Sequence, residues 1–269
     1  MNKSSQPLQG NTSREQMAGP FCIAHSDTGM IRDSNQDAFL LEPGLGLFVV
    51  ADGMGGRAGG EVASRLAVDS LSIEVAKHLN QVKELELTGR RSFFTSTINR
   101  ASLRIYERSL ELPQYRGMGT TVSLLWMSPF ASEVDSFSNF AIIGHVGDSR
   151  CYLNRSGFLF QLTDDHSLVN EQIKAGILSP RDPMISQMRN VITRCVGYQE
   201  EEEVDTRALQ ILPGDRFLLC SDGLSTKVSD EEIRKALDRE NLENVPRELT
   251  DLANERGGDD NITVVIVAV

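Results

Sequence analysis

The sequence predicts an α+β fold in which antiparallel sheets pack together and are covered by helices. Three observations carry this reading. Short apolar runs joined by tight turns recur along the chain, the pattern of antiparallel strands. Two long stretches with apolar residues at three-to-four spacing interrupt the early runs, so each lays one stripe on a core. Two further helical patterns precede the last run, which leaves helices to cover the sheets.

In chain order, residues 1–20 are Ser/Gln/Asn-rich and lack an apolar stretch, so a disordered tail is expected rather than a signal peptide. Strands are expected at 21–25, 38–41 and 47–51. A helix follows from near Gly60, carrying Ala63, Leu66, Ala67, Leu71 and Val75, and a second carries Phe94, Ile98, Ala101 and Ile105. Strands come next at 120–127, 140–146, 151–153 and 158–162. Asn154-Arg155-Ser156-Gly157 reads as a tight hairpin turn, because Gly157 tolerates positive φ. The remaining strands are placed at 191–193, 217–220 and 262–267. A third helix opens at Ser229, with Glu232 completing a capping box, and a fourth runs over about 247–255. No repeat or linker appears after residue 20, so residues 21–269 are expected as one domain.

The chain has 269 residues, 24% of them charged and 40% hydrophobic, enough apolar material for a full core. Its net charge of -11 repels nucleic acid and anionic lipid, and no Lys/Arg cluster overrides that. No apolar run reaches the roughly 18 to 20 residues of a membrane-spanning helix. A cytoplasmic monomer without nucleic-acid or membrane partners is therefore expected. Cys22, Cys151, Cys195 and Cys220 stand far apart and form no Cys-x-x-Cys pair, which favours buried reduced thiols over zinc ligands or disulfides. His25, His78, His145 and His166 show no metal-ligand spacing.

The chemistry sits in one recurring pattern, an apolar strand that ends in an Asp beside Gly or Ser. It occurs at Ala51-Asp52-Gly53, at Val146-Gly147-Asp148-Ser149 and at Cys220-Ser221-Asp222-Gly223. Asp260, before 262–267, mirrors it, and Asp37 precedes 38–41. One Asp-Gly is ordinarily a turn. Five such carboxylates at strand ends are harder to dismiss, because converging carboxylates repel unless a cation neutralises them. Oxygen-only ligands select Mg²⁺ or Mn²⁺ over Zn²⁺. A two-metal centre suits hydrolysis of a phosphate ester by a bridging water. Arg32, five residues before Asp37, could grip the phosphate with its planar guanidinium. The glycine-rich stretch from Asp52 to Gly60 lacks the Lys-Ser/Thr ending of a nucleotide loop but suits a tight metal-bearing loop, where Gly53 could offer its carbonyl.

An ordered set of motifs runs from about residue 21 to the C-terminus. It includes Ser26-Asp27-Thr28-Gly29, Asn35-Gln36-Asp37-Ala38-Phe39, Ala51-Asp52-Gly53-Met54-Gly55-Gly56 and Gly117-Met118-Gly119-Thr120-Thr121. It continues through Val146-Gly147-Asp148-Ser149-Arg150, Thr163-Asp164-Asp165-His166-Ser167, Cys220-Ser221-Asp222-Gly223-Leu224 and Gly257-Gly258-Asp259-Asp260-Asn261. In this set the chain resembles the protein phosphatase 2C family, the metal-dependent Ser/Thr phosphatases, in its bacterial form.

The resemblance implies a four-layer αββα sandwich with two central antiparallel sheets. It implies Asp37, Asp52, Asp222 and Asp260 as ligands of two Mn²⁺ or Mg²⁺ ions, with the Gly53 carbonyl contributing. Arg32 is implied as the phosphate clamp, and Asp148 with Asp222 as ligands of a weaker third ion. Residues 167–189 match the family's flap beside the active site. Gln36 stands where many members have Glu, Thr226 where many have an Asp that serves the third ion, and Met54 where eukaryotic relatives have a His proposed as general acid. With Met54 there, metal-bound water is the expected proton donor, with His166 as a helper, although His145 and His166 are expected mainly as scaffold. The expected function is a protein serine/threonine phosphatase that opposes a cytosolic Ser/Thr kinase. The alternative is a non-catalytic phosphoprotein-binding module.

Overall fold

The computed structural model describes residues 20–128, 139–179, 182, 184–188 and 190–269. The expected tail, Pro20 apart, lies outside them. The chain opens with β1 (Phe21–Asp27), β2 (Asp37–Glu42) and β3 (Leu47–Met54), then two long helices, α1 (Gly56–Glu84) and α2 (Leu87–Glu111). Next come β4 (Gly119–Thr120), β5 (Val122–Met127), β6 (Phe140–Val146), β7 (Arg150–Arg155) and β8 (Phe158–Gln161). Short helices α3 (Leu168–Lys174) and α4 (Ile185–Met188) follow, then β9 (Asp205–Gln210) and β10 (Arg216–Cys220). Helices α5 (Asp222–Ser225), α6 (Asp230–Leu237) and α7 (Val245–Glu255) lead into β11 (Ile262–Ala268).

The strands form two sheets, ordered β1-β11-β10-β7-β8 and β2-β3-β5-β6-β9, with β4 paired to β3. The paired strands within each sheet run antiparallel. Side-chain alternation builds the layers. In β3, Phe48 and Val50 face the second sheet, where they meet Leu153, Phe217, Leu219 and Val265. Leu47, Val49 and Ala51 point the other way, onto Ala67, Leu71, Phe94 and Ile98 of α1 and α2. In β11, Val265 and Val267 enter the inter-sheet core, while Ile262, Val264 and Ile266 pack under α6 and α7. Burial on both faces explains why the central strands read as nearly unbroken apolar runs. The expected αββα order is therefore present, and α6 opens with the Ser229–Glu232 capping box.

One expectation fails, and one strand is unforeseen. Residues 191–193 form no strand; Ile192 makes only an isolated bridge to Ser167. Three residues offer too little ladder to hold a strand alone. Conversely β9, with the polar sequence DTRALQ, carries no apolar signal, yet it pairs with β6 as an edge strand. An edge position leaves half its surface to solvent, so polar residues are tolerated there.

Candidate active site

The expected carboxylates arrive at one end of the two sheets. Asp37 starts β2 and lies directly across the ladder from Asp52 near the end of β3. Asp222 follows β10 at the first position of α5, Asp148 sits in the turn from β6 to β7, and Asp260 precedes β11. Arg32, Asp52, Gly53, Asp148, Asp222 and Asp260 line one cleft of about 850 Å³. Asp37 does not line it but lies beneath, and its Oδ1 is buried without a hydrogen-bond partner. Its Oδ2 accepts from the Ser221 hydroxyl and the Thr263 hydroxyl, both at 2.7 Å.

The loops around these groups are built by close backbone approach. A Cβ on Gly53 would fall 2.0 Å from the Gly60 carbonyl oxygen and 2.6 Å from that of Gln36, so only glycine fits where β3 meets the start of α1. The Gln36 backbone N–H donates to Asn261 Oδ1 at 2.8 Å, and the Ser64 hydroxyl donates to the Gln36 carbonyl at 2.6 Å. Asn261 in turn donates to the carbonyls of Thr28 and Ser34, fixing the loop that carries Arg32. Thr121 supports Asp52, accepting the Asp52 N–H at its hydroxyl and donating its own N–H to the Asp52 carbonyl. Residue-by-residue reading of the sequence missed Ser221, Thr263 and Asn261 as supports. Their only signal is a polar side chain at an otherwise apolar strand or strand end.

Burial pushes the Asp37 carboxyl up to about 7, and the charges of Asp222 and Asp260 push the same way against its two hydroxyl donors. Burial and then the charge of Asp37 hold Asp52 well above the carboxylate range. Burial, with Asp222 and Asp165 nearby, moves Asp148 up to about 7. The cluster is thus short of positive charge. Arg32 supplies one cation, donating to Asp260 Oδ2 at 2.6 Å with its own side chain half exposed. Among the described residues no three His, Cys, Asp or Glu side chains are already closed into a metal cage. The donor set still fits hard divalent cations: it is all oxygen, mutually repelling, and contains a buried oxygen with no proton donor.

His166 does not line this cleft but packs behind the turn that carries Asp148. Its Nδ1 accepts the Gly147 N–H at 3.1 Å and its Nε2 faces Asp205 at 3.3 Å, so both ring nitrogens are engaged in scaffold. His145 is buried, its Nε2 lies 3.1 Å from the Asp164 carbonyl, and burial followed by its histidine neighbour lowers it to about 4. All four cysteines are unpaired, Cys151 and Cys220 fully buried.

Residues 25–262 match the family described as protein phosphatase 2C. The protein phosphatase PhpP of Streptococcus pneumoniae is 35% identical over 249 residues, covering 91% of this chain and 95% of the relative. The chain belongs to the protein phosphatase 2C family. It is accordingly an enzyme, a protein phosphatase. This phosphatase also superposes on the crystal structure of the Mycobacterium tuberculosis serine/threonine phosphatase PstP with a TM-score of 0.80 at 33% identity, covering 93% of this chain and 99% of the other. The catalytic domain of PstP in complex with two manganese ions matches with a TM-score of 0.77 at 32% identity, covering 93% and 99%. The family is metal-dependent. Among the described residues no helix is long and apolar enough to cross a membrane.

Proposed function

We propose that this phosphatase hydrolyses phosphoserine and phosphothreonine in proteins, with Asp37, Asp52, Asp222, Asp260 and the Gly53 carbonyl holding two Mn²⁺ or Mg²⁺ ions. The observation that carries the reading is the gathering of these carboxylates at one cleft, above the buried and unpartnered Asp37 Oδ1. When bound, the two cations supply charge neutralisation and an activated water for direct attack on phosphorus. Asp148, with Asp222, forms a weaker third site, since Thr226 adds no charge there.

Arg32 binds the phosphate. Its guanidinium rests on Asp260 and is half exposed to the cleft, and its planar fork could make two parallel hydrogen bonds to phosphate oxygens were Asp260 engaged as a metal ligand. Ser221 and Thr263 hold Asp37 through one carboxylate oxygen, which would leave the other, without a proton donor, to serve a cation. Asn261 and Gln36 fix the loop carrying Arg32 relative to α1. Phosphoserine and phosphothreonine arise from Ser/Thr kinases, so the partners are phosphorylated proteins and a cognate kinase. The unpaired thiols suit a reducing, cytosolic setting.

The test is turnover of a phosphothreonine peptide with Mn²⁺. Asp222→Asn is expected to lower kcat by at least about a hundredfold and to weaken Mn²⁺ binding in calorimetry. Near-normal turnover in that variant means the centre is misassigned.

A further inference from the structure

The cleft and its rim carry apolar side chains that the core does not use. Met30 and Ile31 are 68% and 69% exposed, immediately before Arg32. Ile31 and Ile192 line the same cleft, and Val191 beside Ile192 is 46% exposed. Single exposed apolar residues are ordinary, but an exposed and a half-buried isoleucine lining one cleft, each beside a further exposed apolar residue, signal a contact surface.

Neither wall is a slack loop. The Met30 N–H donates to the Gly258 carbonyl at 2.8 Å, and Asn261 ties down Thr28 and Ser34 on both sides of it. On the other wall the Leu168 N–H donates to the Val191 carbonyl at 2.8 Å and the Thr193 N–H to the His166 carbonyl at 2.9 Å, around the Ser167–Ile192 bridge. The backbones are anchored while the Ile31 side chain stays exposed and that of Ile192 only half-buried. Apolar surface held in water on a fixed frame is favourable only once something apolar covers it.

The surface is continuous with the phosphate cleft, so its occupant is the part of the substrate beside the phosphate. Charge narrows the chemistry further. The cleft also exposes Asp33 next to Arg32, and the chain carries a net charge of -11, so an acidic neighbour is repelled. We propose that Ile31 and Ile192 are specificity residues that clasp an apolar side chain adjacent to the phosphorylated Ser or Thr. The inference rests on the phosphatase reading above and names the substrate class of that site.

The experiment compares three phosphothreonine peptides, identical except that both neighbours of the phosphothreonine are Leu, Ser or Glu, with Mn²⁺ present. Expected kcat/KM falls in the order Leu, Ser, Glu, with Leu over Ser by about tenfold, the scale of one apolar side chain in a partly open pocket. Ile31→Ser and Ile192→Ser are each expected to bring the Leu-to-Ser ratio to about two or below. A ratio taken within one variant cancels any change in the catalytic centre. Equal rates on all three peptides, or a ratio untouched in both variants, overturn the clasp while leaving the phosphatase reading intact. No turnover of any peptide overturns the phosphatase reading itself. A wild-type dimer in sedimentation that Ile31→Ser dissociates assigns the patch to a second copy of the chain and overturns the clasp.

Discussion

Asp37 meets two hydroxyl donors on one oxygen and none on the other, while charges from Asp222 and Asp260 press on it. That arrangement is costly without a cation, and its cost depends on pH. The Asp37 carboxyl sits near 7 in the folded chain against 3.8 ordinarily, so between these values the metal-free folded state binds more protons than the unfolded one. Stability from this group is full below about pH 4 and is lost as pH rises toward 7. His145, lowered to about 4, acts oppositely, losing its contribution as pH falls through 6.5 toward 4. The clean readout is therefore a difference. With a chelator present, Asp37→Asn is expected to melt several degrees above wild type at about pH 7.5, with the gain vanishing near about pH 4. An equal gain at both values contradicts the electrostatic account. Arg32→Ala is expected to raise KM about tenfold and change kcat less than about threefold, because grip on phosphate is made before the transition state. A loss confined to kcat places Arg32 in transition-state stabilisation instead.

At the scale of elements, function depends on where strand ends meet helix starts. β3 ends against the first turn of α1 so closely that a Gly53 Cβ overlaps backbone atoms, which cannot rotate away as a side chain can. Gly53→Ala should cost about 3 kcal/mol, the upper end of ordinary overpacking, and lower the melting temperature by about 6 to 12 °C. A melting temperature within a degree of wild type refutes the close approach. Most of these elements are legible in the sequence because apolar period and capping are local. β9 is not, since its strand character comes from pairing with β6 rather than from its own residues. Residues 191–193 mislead the opposite way: their apolar character serves the cleft wall and one bridge to Ser167 instead of a ladder.

For the whole molecule, the two sheets and their helices act as a rigid frame that holds like charges together. A ligand binding only the folded state stabilises it by about 2.7 kcal/mol at a hundred times its Kd. Saturating Mn²⁺ should accordingly raise the melting temperature by about 5 to 10 °C at neutral pH, read by scanning calorimetry. No shift with Mn²⁺ or Mg²⁺ would remove the metal centre from the account. The α+β class, the layers, the strand-end position of each Asp and the family are legible in the chain's residues alone, because these follow from local periodicity and ordered motifs. Which groups come together needed the folded chain: Asp37 with Thr263, 226 residues later, Arg32 with Asp260, and Ile31 and Ile192 on one cleft. The reason is physical. A strand's two-residue period says which face a side chain takes, but not which distant strand lies beside it, and these three contacts join segments that only sheet pairing brings together.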